Sequence, residues 1–580
     1  MEYVTGKRQV VFNFSEKFCK TEYEILNSAC FKDVWGKYIK KLYETENQAF
    51  LPVLTIFPKS KVVNYTIDLF KLLMCFTIDE VEAMNPFYAK ALSMKDVLYD
   101  LVQNFYDYWR RLERYAVVMT RATKDGVESS SFVEAQSQFN NVVLSTYRTI
   151  SEKLFGSSFP IYRQLPAGVN AALLLSRNEW MEKTSPYYFL AKSDAIEQIV
   201  IRPPFISYSA KNKRTGTYPE VTKNPMDKIR ENYNPKDFYC YAAMVGSSLA
   251  YVYFHRDFFA HGITIGNLFE FVPLSACKGK KPDLLYVYGA DYEVEDKTKD
   301  GSEFYYDKEN DIYVGIAPHS DDVDYFGYMK KMLLTLYNTK MIDQGFLPIH
   351  GACVHITMKN GQTKNVVIMG DSGAGKSESL EALAEMAGDN ISSQLTIFDD
   401  MGTFKIENNK VIAYGTEIGA FVRTDDMAAG YAYREMDRAI FMNPDKTNSR
   451  LVVPVATYPQ IMKGYEVDMY LYANNYDEEC ESEVEFYNTP EEAKKIFIRG
   501  ARRAKGTTQE KGMTESFFAN PFGPVQREAQ TRVIIDKTFD ALFKAGVKVG
   551  NLHTRIAVPG MEHDGPALAA KRLFELLEEK

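Results

Sequence analysis

The sequence predicts an α/β protein of three regions, and three observations along its 580 residues support this. Before residue 160, apolar residues recur every three or four positions, as in DVLYDLVQNFYDYWRRLERYAVVMTRA, which is typical of amphipathic helices. From there to residue 325, short β-branched and aromatic runs alternate with Pro, Gly and Lys, which is typical of strands. Beyond residue 326, an apolar strand, a glycine-rich turn and an amphipathic helix follow one another directly.

These patterns set the predicted domain boundaries. A mostly helical N-terminal region spans residues 1–160, with helical periodicity over about residues 66–154 that Pro86, Gly126 and Gly156 punctuate. An α/β domain follows over residues 161–325, with strands expected in EQIVIRPPFISYS, SSLAYVYFH and DLLYVYGADYEV. The glycine-rich turn belongs to a third domain, residues 326–580.

Composition excludes several classes of partner. With 46% hydrophobic and 25% charged residues, the chain can bury sizeable cores. A formal net charge of −8 provides no global positive field, so we expect neither nucleic acid nor a membrane surface as a partner. Seven scattered cysteines without C-x-x-C spacing, and an N-terminus without a continuous apolar core, predict a cytoplasmic protein. The oligomeric state is left open.

The strongest motif is VVIMGDSGAGKSESLEALAEM, which contains G-x-x-x-x-G-K-S between a predicted strand and a predicted helix. Leu380, Leu383 and Met386 are expected to face one side of the helix. Glycines allow successive backbone N–H groups to turn toward phosphate oxygens, the lysine reaches the terminal phosphates, and the serine offers its hydroxyl to a divalent metal. The predicted nucleotide-binding residues are Gly370, Asp371, Ser372, Gly373, Ala374, Gly375, Lys376, Ser377 and Glu378.

A second apolar strand, LTIFDD, ends in Asp399 and Asp400. Carboxylates at the end of a strand beside a phosphate loop are where a phosphate-bound Mg²⁺ finds protein or water-mediated ligands. We therefore expect both acids to lie at the catalytic centre.

Upstream of the loop, DYFGYMKKMLLTLYNTKMIDQGFLPIHGACVHI resembles the phosphoenolpyruvate carboxykinases, chiefly the ATP-using class. That class has a Tyr-x-Gly-x-Met-Lys-Lys run and then Leu-Pro-x-His before the strand that leads to the phosphate loop. The resemblance covers residues 320–580 and implies a mixed-sheet P-loop nucleotide-binding domain of the carboxykinase type, preceded by an α/β substrate-side domain and the helical region.

The resemblance also implies roles for single residues. Tyr325 matches a substrate-side tyrosine, and Lys331, His350 and Asp400 match the amine, imidazole and carboxylate ligands of a catalytic Mn²⁺. Such a mixed donor set suits a borderline transition ion. A lysine can ligate only when it is deprotonated, so the pKa of Lys331 must be depressed. Lys330 would contact the phosphoryl group or the substrate beside the metal.

Three C-terminal segments extend the resemblance. In YGTEIGAFVRTD, Arg423 stands where the family has a lysine. KTNSRLVVP resembles the family's Asn-Thr-Arg segment and makes Arg450 the arginine that bridges the phosphoryl group and the carboxylate substrate. ARRAKGTTQEKGMTESFFANPFGP resembles the mobile lid that closes over the nucleotide. It implies nucleotide contacts from Lys505, Gly506 and Thr507.

Two departures keep alternatives open. The loop sequence GDSGAGKSE is closer to that of the HPr kinases, a branch of the same superfamily. In KNKRTGTYPEVTK, Thr217 occupies the place of the arginine that holds the oxaloacetate carboxylate in the family's Thr-Gly-Arg-Ser-Pro motif. Either Arg214 or Arg202 takes over that role, or the substrate differs.

The sequence therefore predicts an ATP-dependent phosphoenolpyruvate carboxykinase that uses Mn²⁺ and Mg²⁺. Its small-molecule partners would be oxaloacetate, phosphoenolpyruvate, CO₂ and the nucleotide, with GTP or pyrophosphate as open alternatives to ATP. One alternative function is a kinase of the HPr-kinase type, or of a small hydroxylated metabolite, that uses the same phosphate site. Another is a nucleotide-binding regulatory protein without catalytic activity.

Overall fold

The computed structural model describes residues 1–119, 128–156, 167–177, 183–214, 216–272, 274–277, 279–294, 296, 299–371, 373–386, 390–426, 430–504 and 512–579. The chain is of the mixed α/β class, with several sheets that combine parallel and antiparallel strands. It divides into two compact units, residues 1–176 with 196–202, and residues 177–195 with 203–580.

The first unit combines helices with a sheet of order β1-β2-β3-β4, in which only the β1–β2 pair is antiparallel. Its elements are β1 (Glu2–Thr5), β2 (Gln9–Asn13), α1 (Glu22–Asn27), α2 (Ala29–Glu44), α3 (Leu51–Leu54), α4 (Val62–Cys75), α5 (Ile78–Met84), α6 (Pro86–Leu92), α7 (Lys95–Arg111), β3 (Glu113–Met119), α8 (Glu128–Phe155) and β4 (Ala171–Ser176).

Within the region of helical periodicity, residues 66–154, the structure has one strand that was not expected, β3. The run ERYAVVM is rich in β-branched and aromatic residues, and it pairs in parallel with β2 and β4. Tyr115 and Ala116 are fully buried there. A central strand buried on both faces has no alternation of polarity, so it resembles a helix in the sequence pattern.

The second unit contains a sheet in which β8, β10 and β12 run parallel side by side, with β7 antiparallel to β8 and β11 antiparallel to β12. Its strands β8 and β10 lie in the segments SSLAYVYFH and DLLYVYGADYEV, which were expected to be strands. The elements of this part are β6 (Phe205–Ser207), β7 (Phe238–Val245), β8 (Ser248–His255), α9 (Phe259–Thr264), β9 (Glu270–Phe271), α10 (Leu274–Cys277), β10 (Leu284–Ala290), β11 (Glu303–Asp307) and β12 (Ile312–Pro318). The strand β5 (Asp194–Ile201) is divided, because residues 194–195 belong to the second unit and residues 196–201 to the first.

A nine-stranded mixed sheet follows, with main order β21-β17-β16-β13-β14-β22-β26-β23 and with β15 beside β13. Its strands are β13 (Leu347–Met358), β14 (Thr363–Met369), β15 (Ile391–Phe398), β16 (Met401–Glu407), β17 (Lys410–Gly415), β21 (Tyr465–Glu466), β22 (Met469–Asn474), β23 (Val484–Phe486) and β26 (Lys548–His553). Helices α11 (Phe326–Asp343), α12 (Lys376–Met386), α16 (Glu528–Lys544) and α17 (Asp564–Glu578) contact this sheet.

The remaining elements form two small sheets and three short helices. They are β18 (Gly419–Arg423), α13 (Tyr431–Arg434), β19 (Ile440–Met442), β20 (Arg450–Pro454), α14 (Tyr458–Ile461), α15 (Pro490–Arg499), β24 (Ala501–Arg503) and β25 (Met513–Glu515). One small sheet has the order β18-β20-β19-β6, and the other is the β24–β25 hairpin.

The sheet carrying β13 and β14 is buried on both faces. One apolar cluster includes Val367, Phe497 and Phe539, and the other includes Ile368, Leu383 and Leu573. Of the three residues expected to form the apolar face of α12, Leu380 and Leu383 are buried. Met386, the last residue of the helix, is exposed.

The two compact units do not coincide with the three predicted domains. The first unit ends at Ser176 rather than near residue 160, and the predicted boundary near residue 325 lies inside the second unit. The three-part division itself stays a prediction. Among the residues described, no helix is long and apolar enough to cross a bilayer.

Candidate active site

The glycine-rich loop lies between β14 and α12, the order that the motif requires. Gly373 and Gly375 have φ of 78° and 90°, a left-handed conformation that glycine adopts without steric cost. A Cβ atom on Gly375 would lie 2.7 Å from the side chain of Thr554. The loop therefore needs glycine at this position for both its backbone conformation and its packing.

Eight of the nine predicted loop residues are described, and Ser372 lies outside the described residues. The eight are Gly370, Asp371, Gly373, Ala374, Gly375, Lys376, Ser377 and Glu378. The Lys376 amine donates a hydrogen bond to the backbone carbonyl of Asp371 at 3.0 Å. The Ser377 hydroxyl donates to Asp399 Oδ1 at 3.2 Å, so the hydroxyl and the carboxylate expected at a Mg²⁺ ion face each other.

His350 lies where β13 changes its hydrogen-bonding partner. Residues 347–350 pair with β16, and residues 351–357 pair with β14. The backbone N–H of Gly370 donates to the His350 carbonyl at 3.0 Å, and the N–H of Gly351 donates to the Asp400 carbonyl at 3.0 Å. The strand therefore connects the histidine to the start of the phosphate loop and to the acidic pair.

The three predicted metal ligands converge. The Lys331 amine lies 2.5 Å from Asp400 Oδ2, and His350 Nε2 lies 3.0 Å from Asp400 Oδ1. They come from three segments: α11, β13 and the turn after β15. Adjacent ligand atoms on an octahedral ion, each about 2.1 Å from the metal, are about 3 Å apart. The His350–Asp400 separation fits such a pair.

The second nitrogen of His350 fixes which tautomer is present. His350 Nδ1 lies 2.8 Å from the Ala519 carbonyl oxygen, which can only accept, so Nδ1 carries the proton. Burial lowers the pKa of His350, which favours the neutral ring. A neutral ring protonated at Nδ1 turns the lone pair of Nε2 toward the Asp400 carboxylate. His350 Nε2 and Asp400 Oδ1 therefore face each other as two electron-rich atoms. A cation bound between them would be coordinated by both, so these residues fit a divalent ion.

The two adjacent lysines of α11 differ in their electrostatics. Burial would lower the pKa of Lys330, but the carboxylates of Asp400 and Glu417, at 2.6 Å and 2.9 Å, raise it overall. Burial, aided by the Lys330 charge, lowers the pKa of Lys331 to about 8 despite the opposing effect of Asp400. Lys330 is therefore a permanent cation, whereas the neutral amine that a metal ligand needs is accessible at Lys331.

The acids of the cluster also differ. Burial raises the pKa of Asp399. Burial opposes ionisation of Asp400 as well, but Lys330 and Lys331 hold its pKa well below the usual range. Burial raises the pKa of Glu417 to about 7, and the backbone N–H of Met401 donates to this side chain at 3.1 Å. Asp400 is therefore the carboxylate that stays ionised at the point where the lysines and His350 meet.

Tyr325 and Arg450 form a neighbouring pair. The Arg450 Nε–H donates to the Tyr325 hydroxyl at 3.1 Å. Arg450 lies opposite Arg423 in the β18–β20 register, and its guanidinium group lies 5.2 Å from the ring centre of Phe421. Lys330 approaches the same ring at 5.4 Å. The aromatic ring thus packs against two of the cations expected to contact substrate.

All these side chains belong to the second unit, and many line a cleft with a volume of about 690 Å³, within the range of small-molecule sites. The cationic residues of its lining are Lys213, Arg214, Lys331, Lys376, Arg423, Arg450 and Arg502. Asp371, Asp399 and Asp400 line the cleft with them. Glu378, Glu381 and Glu515 line it as well, so the cleft combines both signs of charge. Its cations offer partners for the anionic groups of a substrate or cosubstrate, and its acids suit a bound cation.

The structure places three contacts at the site that the sequence does not indicate. Arg502 Nε lies 2.9 Å from Asp371 Oδ2, which links β24 to the phosphate loop. Phe518 and Ala519 have φ of 54° and 45°, and this turn directs the Ala519 carbonyl at His350. The ring centre of Phe522 lies 4.5 Å from the Lys331 amine and 4.8 Å from the Arg214 guanidinium. Positive φ at two non-glycine residues has no sequence signal.

Of the two arginines considered for the substrate carboxylate, Arg214 lines the cleft. Arg202 donates to the Ser137 hydroxyl at 3.0 Å and belongs to the first unit. The predicted lid contacts Lys505, Gly506 and Thr507 lie outside the described residues.

A scan of the chain against protein-family models finds no match, and a search of curated proteins finds no similar sequence. The function proposed below therefore depends on the residues and geometry of this site.

Proposed function

We propose that the chain is an ATP-dependent phosphoenolpyruvate carboxykinase. The observation that carries the proposal is the convergence of Lys331 and His350 on Asp400, in a cleft that Lys376 of the phosphate loop also lines. A plain kinase has no need of a buried amine with a lowered pKa beside its metal ligands, whereas decarboxylation of an oxyacid uses a metal positioned for the enolate. The resemblance of residues 320–580 to the carboxykinases and a P-loop domain of that type are parts of the same proposal.

In the proposed reaction, the C–C bond to the departing carboxylate breaks and CO₂ leaves, with the electron pair passing to the enolate. The enolate oxygen then attacks the γ-phosphorus of ATP in line, and the bond to ADP breaks. Mn²⁺ held by Lys331, His350 and Asp400 would supply positive charge next to the developing oxyanion.

The chain's own residues bind and orient the reactants. Lys376 would contact the terminal phosphates, and Ser377 with Asp399 would face the nucleotide's Mg²⁺. Arg450, held by the Tyr325 hydroxyl, would neutralise charge spread over the transferring phosphoryl oxygens. Lys330 provides a fixed positive charge, and Arg214 offers a guanidinium for the substrate carboxylate.

A coupled assay tests the proposal with oxaloacetate, Mn²⁺ and either ATP or GTP. We expect phosphoenolpyruvate to form, and we expect Lys331→Ala and Arg450→Ala each to lower kcat/KM by about 10²-fold or more, the usual cost of removing a preorganised charge at a transition state. The control is Lys571→Ala, at an exposed lysine of α17. No product with either nucleotide would reject the carboxykinase reaction.

A second candidate is a kinase of the HPr-kinase type that acts on a hydroxyl group. It is favoured by the loop sequence GDSGAGKSE, which is closer to that of the HPr kinases than to that of the carboxykinases. If the protein hydrolyses or transfers the γ-phosphoryl group with Mg²⁺ alone, independently of oxaloacetate and Lys331, the kinase is the better description.

A further inference from the structure

A second cluster of metal-binding side chains lies at the carboxyl edge of β8, β10 and β12. These three strands are parallel neighbours, so the residues that end them meet at one edge of the sheet. His255 is the last residue of β8, with Asp257 two positions later. His319 follows β12 directly, and Asp291 follows β10. Only Asp257 is close to His255 in the sequence. Asp291 and His319 are too distant for the sequence to suggest a motif.

The geometry of the cluster matches a small coordination sphere. One nitrogen of each histidine and one Asp257 oxygen lie within 4.8 Å of one another. His319 Nε2 is 3.0 Å and His255 Nδ1 is 3.6 Å from Asp257 Oδ2. Ligand atoms about 2.0–2.1 Å from a tetrahedral ion are about 3.3 Å apart. The two observed separations lie on either side of that value.

His255 is held in the protonation state that a metal ligand needs. The backbone N–H of Asp257 donates to His255 Nδ1 at 3.2 Å, so this nitrogen presents a lone pair rather than a proton. An ion would take that lone pair in exchange for the hydrogen bond. The neighbouring Arg256 pairs with Asp237 at 2.7 Å. The His255 and His319 side chains are 13% and 34% exposed, so an ion can enter from solvent.

We propose that His255, Asp257 and His319 bind a divalent transition-metal ion of the Zn²⁺ class. Two imidazoles and one carboxylate are the donor set that Zn²⁺ and Co²⁺ favour. The ion would join the ends of β8 and β12 across the intervening β10, and these residues are separate from those lining the 690 Å³ cleft. The proposal does not depend on the carboxykinase activity.

Zinc and cobalt titrations of the full chain test this site. Because Lys331, His350 and Asp400 also fit a divalent ion, the titrations are made in a His350→Ala background that weakens that centre. We expect about one Zn²⁺ per chain, tetrahedral visible bands with Co²⁺, and a higher Tm on addition of Zn²⁺. Adding His255→Gln or His319→Gln should weaken Zn²⁺ binding at least tenfold, since even outer partners of metal ligands affect affinity by about 10–100-fold.

His563→Gln, at an exposed histidine outside the cluster, is the matched control and should bind Zn²⁺ as the background does. Circular dichroism establishes that each variant is folded, and Asp257→Asn provides a third variant if either histidine variant is not. Zn²⁺ affinity that is unchanged in the folded variants, or equally changed by His563→Gln, would overturn the assignment.

Discussion

At the scale of single residues, the site is organised by one carboxylate. Asp400 faces Lys330, Lys331 and His350 within 3.0 Å, and its low pKa follows from the two lysine charges. Lys330 also contacts Glu417, whereas Lys331 faces the cleft. Adjacent lysines therefore differ in role, the first compensating buried acids and the second offering a donor atom.

This difference predicts that replacing Lys330 mainly lowers stability, whereas replacing Lys331 mainly lowers activity. Lys330→Met should lower the free energy of unfolding by about 3–5 kcal/mol, because it leaves Asp400 and Glu417 without their buried countercharge. Lys331→Met should lower the free energy of unfolding by less than about 2 kcal/mol, because Lys330 still pairs with Asp400, yet it should lower kcat/KM by about 10²-fold or more. Urea unfolding of both variants measures this. Equal losses of stability would contradict the distinction.

Two glycines with a left-handed backbone, Gly375 in the glycine-rich loop and Gly560 outside it, permit a controlled prediction. Gly375→Ala should destabilise the protein by about 1–3 kcal/mol, because φ is 90° and the added Cβ would meet Thr554 at 2.7 Å. Gly560 has φ of 84° but no atom within 4 Å of an added Cβ. Gly560→Ala should therefore show the conformational cost alone, about 1 kcal/mol. Thermal unfolding with and without ATP compares them, and an equal cost would mean that the Thr554 contact is unimportant.

Sequence reasoning could bring together Lys331, His350 and Asp400 because their order around a glycine-rich loop resembles a known pattern. It could not supply the Ala519 carbonyl that fixes the His350 tautomer, because this contact joins residues 169 apart in the chain through a left-handed turn at Phe518 and Ala519. It expected a depressed pKa at Lys331 but not the raised pKa of Lys330, because that shift depends on the buried neighbours Asp400 and Glu417.

At the scale of elements, β13 is the central strand of the site. It pairs with β14, β15 and β16, so one strand contacts the segments that carry the phosphate loop and the acidic pair. The strand–loop–helix unit was predictable, since strand, glycines and helix are consecutive in sequence. The strand β3 was not predictable, because its buried run does not alternate apolar and polar residues as a half-exposed strand does.

The link between the phosphate loop and β24 is testable with a double-mutant cycle. Arg502 and Asp371 are both largely buried and lie 2.9 Å apart. Arg502→Met should destabilise the protein by about 3–5 kcal/mol and weaken ATP binding, because it removes a countercharge from the loop carboxylate. Adding Asp371→Asn should restore part of the stability. Additive effects in urea unfolding would mean that the two side chains do not interact.

At the scale of the whole molecule, the described residues that line the cleft all belong to the second compact unit. We therefore predict that ATP with Mg²⁺ slows amide hydrogen exchange in the phosphate loop and the start of α12, and leaves residues 1–119 unchanged. At 100 times the Kd, the nucleotide should stabilise the protein by about 2.7 kcal/mol. Protection confined to the first unit would contradict this location of the nucleotide.

The most direct measurement of the central claim follows the label of γ-³²P-ATP in the presence of Mn²⁺ and oxaloacetate. We predict that the label enters phosphoenolpyruvate, that CO₂ is released in equal amount, and that both depend on Lys331. Label that passes to a hydroxyl acceptor or to water without release of CO₂ would contradict the carboxykinase reaction.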